Sequence, residues 1–221
     1  MQQLKLVVFD LDGTLLNTLS DLAHGVNYAL ENSGFPVHPI ADYKYFVGNG
    51  INKLLERALP ENRRTEQNVA RIKTHFRSYY DEHLADYTQP YEDIPELLKT
   101  LLSKGLKLAV ASNKYQKATE RLIDRFFPDI PFVAVLGQRE GVPVKPDPAI
   151  VFDILKIAGC APEETVYIGD SAVDMLTAAN SGVVSIGVTW GFRPQEELEA
   201  AEAGYIVAST NEILDIITAR I

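Results

Sequence analysis

The sequence Leu4-Lys5-Leu6-Val7-Val8-Phe9-Asp10-Leu11-Asp12-Gly13-Thr14 runs from an almost uninterrupted apolar stretch into two aspartates and a glycine. Its apolar part is typical of a β-strand that is buried on both faces. Side chains two positions apart on an extended segment point the same way, so Asp10 and Asp12 can converge on one point. Two such carboxylates repel each other, and a proton or a cation relieves that repulsion. The alternative interpretation is that Asp12-Gly13 simply forms a turn.

Further apolar segments of the same kind follow along the chain, separated by amphipathic patterns. The predicted strands are residues 107–112, 132–136, 165–169, 183–188 and 205–208. The predicted helices between them are residues 94–104, 116–127, 148–158, 175–181 and 211–219. This alternation predicts an α/β fold, a doubly wound, Rossmann-like parallel sheet with helices on both faces.

Residues 15–88 interrupt the alternation, because they carry helical patterns and no convincing strand. The helical patterns cover residues 21–32, 41–46, 51–58 and 66–83. Such a block directly after the first strand predicts a small α-helical domain, residues 15–88, inserted into a core domain made of residues 1–14 and 89–221. Because ligands of open α/β sheets bind at the carboxyl ends of the strands, the insert is expected to cover the site.

Two further polar groups lie at or near the ends of predicted strands. Ser112 and Asn113 end one strand, and a hydroxyl with backbone N–H groups at a helix start suits a phosphate. The alternative is that one of them only caps the next helix. Lys145 lies between Val144 and Pro146 in a proline-stiffened loop, where it could neutralise a phosphoryl oxygen, although most loop lysines are merely solvated.

Asp170 and Asp174 form the last polar group, one helical turn apart after the strand at 165–169. Carboxylates in this arrangement suit a hard cation such as Mg²⁺, which prefers oxygen ligands. Alternatively, Ser171 and Asp174 form a capping box, which would not explain Asp170.

Together, these motifs resemble the haloacid dehalogenase (HAD) superfamily of Mg²⁺-dependent phosphotransferases. The patterns Asp-x-Asp-Gly-Thr, Ser-Asn-Lys, Lys-Pro-x-Pro and Gly-Asp-Ser-x-x-Asp are all present, and the insert resembles the helical cap of the first subclass. The resemblance implies that Asp10 is the nucleophile that forms an aspartyl-phosphate, with Asp12 as general acid and base. It implies phosphate binding by Ser112, Asn113 and Lys145. The implied Mg²⁺ ligands are Asp10, Asp12 through its backbone carbonyl, and Asp170, with Asp174 beside or among them.

The predicted cap carries a Gly48-Asn49-Gly50 break between two short helices. Backbone N–H groups exposed there could bind a small carboxylate, although an ordinary turn with Asn49 as N-cap is an equal alternative. This segment and Trp190-Gly191-Phe192-Arg193 resemble phosphoglycolate phosphatases, so 2-phosphoglycolate is the expected substrate. Pyrophosphatases and β-phosphoglucomutases of the same superfamily remain alternatives. A receiver-like phospho-acceptor signalling module is an alternative of a different class.

Composition limits the partners. The 221 residues contain 30 acidic and 21 basic side chains, a formal net charge of -9. This balance argues against nucleic acid and anionic membranes, which attract basic surfaces. A single cysteine, Cys160, and no signal-type segment at the start predict a reducing, cytoplasmic location. The expected partner is a small phosphorylated metabolite, and the protein is expected to be a monomer or a homodimer.

Overall fold

The computed structural model describes residues 3–220; residues 1, 2 and 221 of the predicted core lie outside the described residues. The strands in this part of the chain are β1 (Leu6–Phe9), β2 (Leu16–Asn17), β3 (Gln89–Pro90), β4 (Lys107–Tyr115), β5 (Phe132–Gln138), β6 (Thr165–Gly169), β7 (Val184–Val188) and β8 (Tyr205–Val207). Six of them form a parallel sheet in the order β5-β4-β1-β6-β7-β8. The predicted α/β class with a doubly wound sheet is confirmed.

Strand β1 lies in the middle of this sheet because its side chains are apolar on both faces. Val7 and Phe9 belong to a large hydrophobic cluster on one side, and Leu6 and Val8 belong to a second cluster on the other side. All four side chains are buried. Since β4 and β6 flank β1, the carboxyl ends of these three strands meet at one edge of the sheet.

Helices cover both faces of the sheet and also fill the segment between β2 and β3. The helices are α1 (Leu19–Glu31), α2 (Tyr43–Phe46), α3 (Gly50–Ala58), α4 (Glu66–His83), α5 (Ile94–Ser103), α6 (Gln116–Phe126), α7 (Ala149–Ala158), α8 (Ala172–Ser181), α9 (Gln195–Ala200) and α10 (Thr210–Thr218). Residues 19–83, here called the helical segment, contain α1 to α4. None of the helices within residues 3–220 combines the length and apolar character that crossing a bilayer requires.

Helices α1 and α4 form the main contact within the helical segment. Ile72, Phe76 and Tyr80 are spaced four residues apart on α4 and are buried. Gly25 on α1 lies against Phe76 and Tyr80, where a Cβ atom would be 3.0 Å from the Phe76 ring. Thr65 caps α4 by accepting a hydrogen bond from the backbone N–H of Asn68 at 3.2 Å.

The structure differs from the predicted elements in a few places. The two connections to the helical segment, expected to be strand-free, pair with each other as β2 and β3 in an antiparallel ribbon. Strand β4 continues beyond Ser112 to Tyr115, with a register shift against β5 after Ala111. Helix α8 begins at Ala172, earlier than predicted, and α9 was not predicted. The division into a core and a cap domain stays a prediction.

Candidate active site

The carboxyl ends of β1, β4 and β6 bring the predicted polar residues together. Asp10 follows β1, Ser112 lies near the end of β4, and Asp170 follows β6. Lys145 reaches the same place from the loop before α7, and all four residues are buried. Gly13 adopts φ +88°, and a Cβ atom there would collide with the Asp170 carboxylate. The turn after β1 therefore has to contain glycine for the two strand ends to approach.

Lys145 lies at the centre of the site. Its Nζ lies 2.9 Å from Asp10 Oδ1 and 2.7 Å from Asp174 Oδ1. It also donates to the Ala111 carbonyl and to the Tyr167 hydroxyl oxygen, each at 3.0 Å. Burial lowers its pKa, but the attraction of Asp10 and Asp174 outweighs burial and holds the pKa well above its ordinary value. Lys145 is therefore a buried, permanently charged group and not a solvated loop lysine.

Asp10, Asp170 and Asp174 form a buried acidic cluster, with one carboxylate oxygen from each within 4.8 Å of the others. Burial, followed by repulsion from Asp174, raises the pKa of Asp10 to about 7. Burial and repulsion from Asp174 and Asp10 also raise the pKa of Asp170 well above its ordinary value. Oxygen donors with excess negative charge fit a hard divalent cation, which would relieve this repulsion.

Both oxygens of Asp174 already have partners. Oδ2 accepts from the backbone N–H of Ser171 at 3.1 Å and from its hydroxyl at 2.6 Å, while Oδ1 faces Lys145. The hydrogen bonds with Ser171 form the capping box that the sequence offered as an alternative, and the contact with Lys145 places Asp174 in the site as well. Asp174 therefore caps the first turn of α8 and positions Lys145 at the same time.

Asp12 faces a different partner from Asp10. Its carboxylate accepts from Lys114 Nζ at 2.9 Å and 3.1 Å and from the Thr18 hydroxyl at 2.6 Å. The Asp12 side chain is not part of the acidic cluster. Burial lowers the pKa of Lys114, but Asp12 and Tyr80 outweigh burial and raise it. Each of the two aspartates of the opening motif therefore has its own lysine.

The side chains of Ser112 and Asn113 differ in what they contact. Ser112 lines the cavity, and its Oγ accepts a hydrogen bond from the backbone N–H of Lys114 at 3.2 Å. The Asn113 amide accepts from Lys145 N at 2.8 Å and donates to the carbonyls of Lys145 and Gly48. Its polar atoms are thus used to hold the Lys145 loop and the helical segment. Neither residue caps α6, because β4 continues to Tyr115, which occupies the N-cap position, and the helix starts at Gln116 as predicted.

The predicted Gly48-Asn49-Gly50 segment reaches the site through its glycines. Gly48 and Gly50 line the cavity, whereas Asn49 does not. Asn49 occupies the N-cap position of α3 without capping it, because its Oδ1 accepts from Arg57 at 2.7 Å. Gly50 has φ +78°, a backbone conformation that favours glycine, and a Cβ atom there would lie 3.4 Å from the Asn113 carbonyl on β4.

A cavity of about 50 Å³ lies between these groups and the helical segment. The polar side of its wall includes Asp10, Asp12, Lys114, Ser112 and Asp170. The apolar side is contributed mainly by the helical segment and consists of Leu22, Val47, Ile51, Leu54, Phe76 and the core residue Phe192. The arrangement can hold a small anion with a short apolar or polar extension.

A family model described as haloacid dehalogenase-like hydrolase matches residues 7–188. The chain belongs to this hydrolase family. A phosphoglycolate phosphatase of Mannheimia succiniciproducens is 32% identical over 97% of this chain and 99% of its own length. Among solved structures, a proposed phosphoglycolate phosphatase of Lactobacillus delbrueckii subsp. bulgaricus is 34% identical with a TM-score of 0.92, covering 98% and 99% of the two chains. A predicted phosphoglycolate phosphatase of Haemophilus somnus is 31% identical with a TM-score of 0.90 over the same shares.

Membership confirms the resemblance to the HAD superfamily and makes this chain an enzyme, a phosphoric monoester hydrolase. HAD phosphatases typically use a divalent metal, and the cluster of Asp10, Asp170 and Asp174 is compatible with one. Sequence reasoning missed Lys114, Tyr167 and Tyr80. Lys114 stood within the Ser-Asn-Lys motif, so its place in that motif was an available signal; Tyr167 and Tyr80 lay in ordinary apolar patterns.

Proposed function

We propose that this HAD enzyme is a Mg²⁺-dependent phosphatase that hydrolyses 2-phosphoglycolate to glycolate and phosphate through an aspartyl-phosphate. The observation that carries the reaction type is the separation of the two aspartates: Asp10 faces Lys145 at 2.9 Å, and Asp12 faces Lys114 at 2.9 Å. Two neighbouring carboxylates in different electrostatic environments are suited to different roles in one reaction.

In the first half-reaction, a carboxylate oxygen of Asp10 attacks phosphorus, and the bond between phosphorus and the ester oxygen breaks. Asp12 gives its proton to the leaving oxygen. In the second half-reaction, Asp12 takes a proton from water, the water oxygen attacks phosphorus, and the acyl-phosphate bond breaks to restore Asp10. Splitting the displacement in this way replaces one difficult step with two easier ones. The ion pair with Lys114 stabilises the carboxylate that removes the proton from water.

The remaining groups bind and position the phosphoryl group. The Lys145 ammonium and the Ser112 hydroxyl hold its oxygens, while Asn113 keeps the Lys145 loop in place through its amide. We assign the Mg²⁺ ligands to Asp10, Asp170 and the Asp12 carbonyl. Asp174 acts beside them, because Lys145 and Ser171 already occupy its oxygens. When bound, Mg²⁺ supplies charge neutralisation for the phosphoryl oxygens.

The substrate assignment is supported by the relatives. Phosphoglycolate phosphatases match nearly the whole chain. In this proposal the helical segment acts as a cap, and Gly48 and Gly50 place its backbone at the edge of the site. Asn49 acts through Arg57 and not on the substrate.

The test is phosphate release with Mg²⁺ across 2-phosphoglycolate, hexose phosphates, pyrophosphate and nucleotides. We expect 2-phosphoglycolate to have the highest kcat/KM, and Asp10→Asn to lower kcat by at least about 10³-fold because the nucleophile is lost. Asp153→Asn changes a surface carboxylate paired with Arg139 and serves as the matched control. If Asp10→Asn retained turnover, the assignment of Asp10 as the nucleophile would be wrong. Equal kcat/KM values for all the substrates would contradict the assignment of 2-phosphoglycolate but not the assignment of phosphatase activity.

A further inference from the structure

Lys114 and Tyr80 face each other across the boundary between the core and the helical segment. Lys114 follows Ser112 and Asn113 on β4, and Tyr80 lies on α4. Both side chains line the cavity, and both are buried. The Lys114 ammonium lies 5.1 Å from the centre of the Tyr80 ring. A positive charge and a phenol thus meet beside Asp12, on the side of the site where the leaving group has to be.

The Lys114 ammonium can donate a hydrogen bond to a second anion besides Asp12. It carries three N–H groups, and its carboxylate partner within the described residues is Asp12, at 2.9 Å and 3.1 Å. The face of the ammonium toward Tyr80 has the ring as its neighbour. An anion that enters the cavity can therefore share this ammonium with Asp12.

The Tyr80 hydroxyl is a buried polar group whose hydrogen-bonding capacity the described part of the chain does not satisfy. Its polar neighbour is the Lys114 ammonium, which can only donate, so within residues 3–220 the hydroxyl hydrogen has no acceptor although the side chain is buried. Buried hydroxyl groups of native proteins nearly always have a partner. Burial raises the pKa of Tyr80 to about 12, which keeps the phenol protonated and able to donate. The Tyr80 ring stacks on Phe76, which offers no acceptor.

We propose that Lys114 and Tyr80 bind the carboxylate of the substrate's leaving group. The inference rests on the proposed function and assigns its specificity to these two side chains. Lys114 supplies the charge and Tyr80 supplies a hydrogen bond from the helical segment. The surrounding apolar side chains leave room for a short linker between the carboxylate and the phosphate. Binding the carboxylate there uses a distant part of the substrate to place the ester oxygen beside Asp12.

The experiment compares two substrates of the same chain length, 2-phosphoglycolate and ethyl phosphate, which has a methyl group in place of the carboxylate. The quantity measured is the ratio of their kcat/KM values. We expect Tyr80→Phe, which removes only the hydroxyl, to lower this ratio by about tenfold or more, because it removes a hydrogen bond to a charged group. We expect Lys114→Met to lower the ratio by about 100-fold or more, because the charge is also lost.

Tyr79→Phe is the matched control, since Tyr79 lies on the same helix, stacks on Tyr28 and is not part of the cavity wall. Tyr79→Phe should leave the ratio of the two kcat/KM values within about twofold of the wild-type ratio. A second readout is competitive inhibition by glycolate, which Tyr80→Phe should weaken by about the same factor as the ratio. Circular dichroism shows whether each variant is folded. If Tyr80→Phe does not fold, the substrate ratio of Lys114→Met tests the proposal.

Equal losses on both substrates would overturn the subsite, because they would show that Tyr80 and Lys114 support only the phosphoryl chemistry. In that outcome the wild type still prefers 2-phosphoglycolate, and the proposed function stands. If the wild type itself does not distinguish the two substrates, the substrate assignment fails together with the subsite. If it releases phosphate from neither, the phosphatase proposal fails.

Discussion

Asp10 and Asp12 are two residues apart, yet the site supplies a separate ammonium for each. The four aspartates Asp10, Asp12, Asp170 and Asp174 carry four negative charges when ionised, and Lys114 and Lys145 carry two positive charges. Two negative charges are left without a partner among these side chains, all of them at the Lys145 end of the site. A divalent cation supplies that difference, so the substrate-free site is neutral with Asp12 ionised once the metal is bound, and the proton that Asp12 gives to the leaving oxygen is additional to this balance.

This charge balance predicts how the stability of the metal-free protein depends on pH. Burial, followed by repulsion from Asp174, raises the pKa of Asp10 to about 7, whereas an unfolded aspartate has a pKa of about 3.9. Between these two values the folded state keeps a proton that the unfolded state releases. The free energy of unfolding therefore falls as the pH rises through this window.

In EDTA, the Tm of the wild type should fall between pH 5 and pH 8 by about 5 °C or more relative to Asp10→Asn, which lacks this titration. Adding Mg²⁺ at pH 8 should return most of the loss, because the cation replaces the proton. Thermal unfolding followed by circular dichroism measures both effects, with Asp153→Asn as control. Parallel Tm profiles for the wild type and Asp10→Asn would contradict the shifted pKa.

At this scale, the sequence predicted which residues meet but not all of their partners. The positions of Asp10, Ser112, Lys145 and Asp170 follow from parallel strands whose carboxyl ends share one edge. Lys114 is different, because the register shift after Ala111 decides where its side chain points, and no periodicity encodes such a shift. The predicted phosphate-binding role of Asn113 stays a prediction, while its side-chain amide contacts Lys145 and Gly48.

Among the elements, the ribbon of β2 and β3 determines how the helical segment is attached. Both connections run side by side, with Leu16 paired to Pro90 and Asn17 to Gln89. Asp21, in the first turn of α1, binds the second connection at Tyr87 and Thr88, just before β3. It accepts the backbone N–H of Thr88 at 2.8 Å, the Thr88 hydroxyl at 2.6 Å and the N–H of Tyr87 at 3.1 Å.

Asp21→Ala should destabilise the protein, because it leaves two backbone N–H groups and a buried hydroxyl without their acceptor. We expect the free energy of unfolding to fall by about 2–4 kcal/mol, measured by urea denaturation. Asp42→Ala is the matched control in the same segment, since Asp42 is exposed and should change stability by less than about 0.5 kcal/mol. Equal effects of the two changes would show that the contacts of Asp21 are dispensable.

The long elements were predictable and the short ones were not. Strands β1 and β6 are continuous apolar runs, and helices α4 and α7 have a clear hydrophobic period, each over enough residues to identify the element. Strands β2 and β3 contain two residues each, too few to show any period, and they exist because the two connections lie next to each other in space. Likewise, the pattern of α4 marks Tyr80 as buried but does not say that it faces Lys114, which depends on how the helical segment docks.

At the scale of the whole molecule, the helical segment is held against the core by contacts to residues 45–50, where α2 ends and α3 begins. Arg193, which follows β7, donates to the carbonyl of Val47 at 2.7 Å, and its guanidinium lies 5.9 Å from the centre of the Tyr45 ring. Asn113 donates to the carbonyl of Gly48 at 3.0 Å from the other side of the cavity. These contacts join the two parts directly over the site.

Arg193→Met should loosen this loop, because the Val47 carbonyl loses its charged donor. We expect faster amide hydrogen exchange in residues 45–50, and a KM for 2-phosphoglycolate that is about three- to tenfold higher, since these residues then cover the site for less of the time. Arg139→Met removes an arginine that pairs with Asp153 on the core surface and is the control. Exchange that is unchanged in residues 45–50 would show that Arg193 does not hold the segment closed.

The β2–β3 ribbon has one more consequence, which concerns modularity. Asn17 and Gln89 are antiparallel partners, so the backbone leaves the core and returns to it at neighbouring points. In topological terms, everything between them is the loop of one β-hairpin. The entropy of closing so long a loop grows only slowly with its length. We therefore expect that an insertion of another size or fold can replace the helical segment while Asp10 and Lys145 stay where they are.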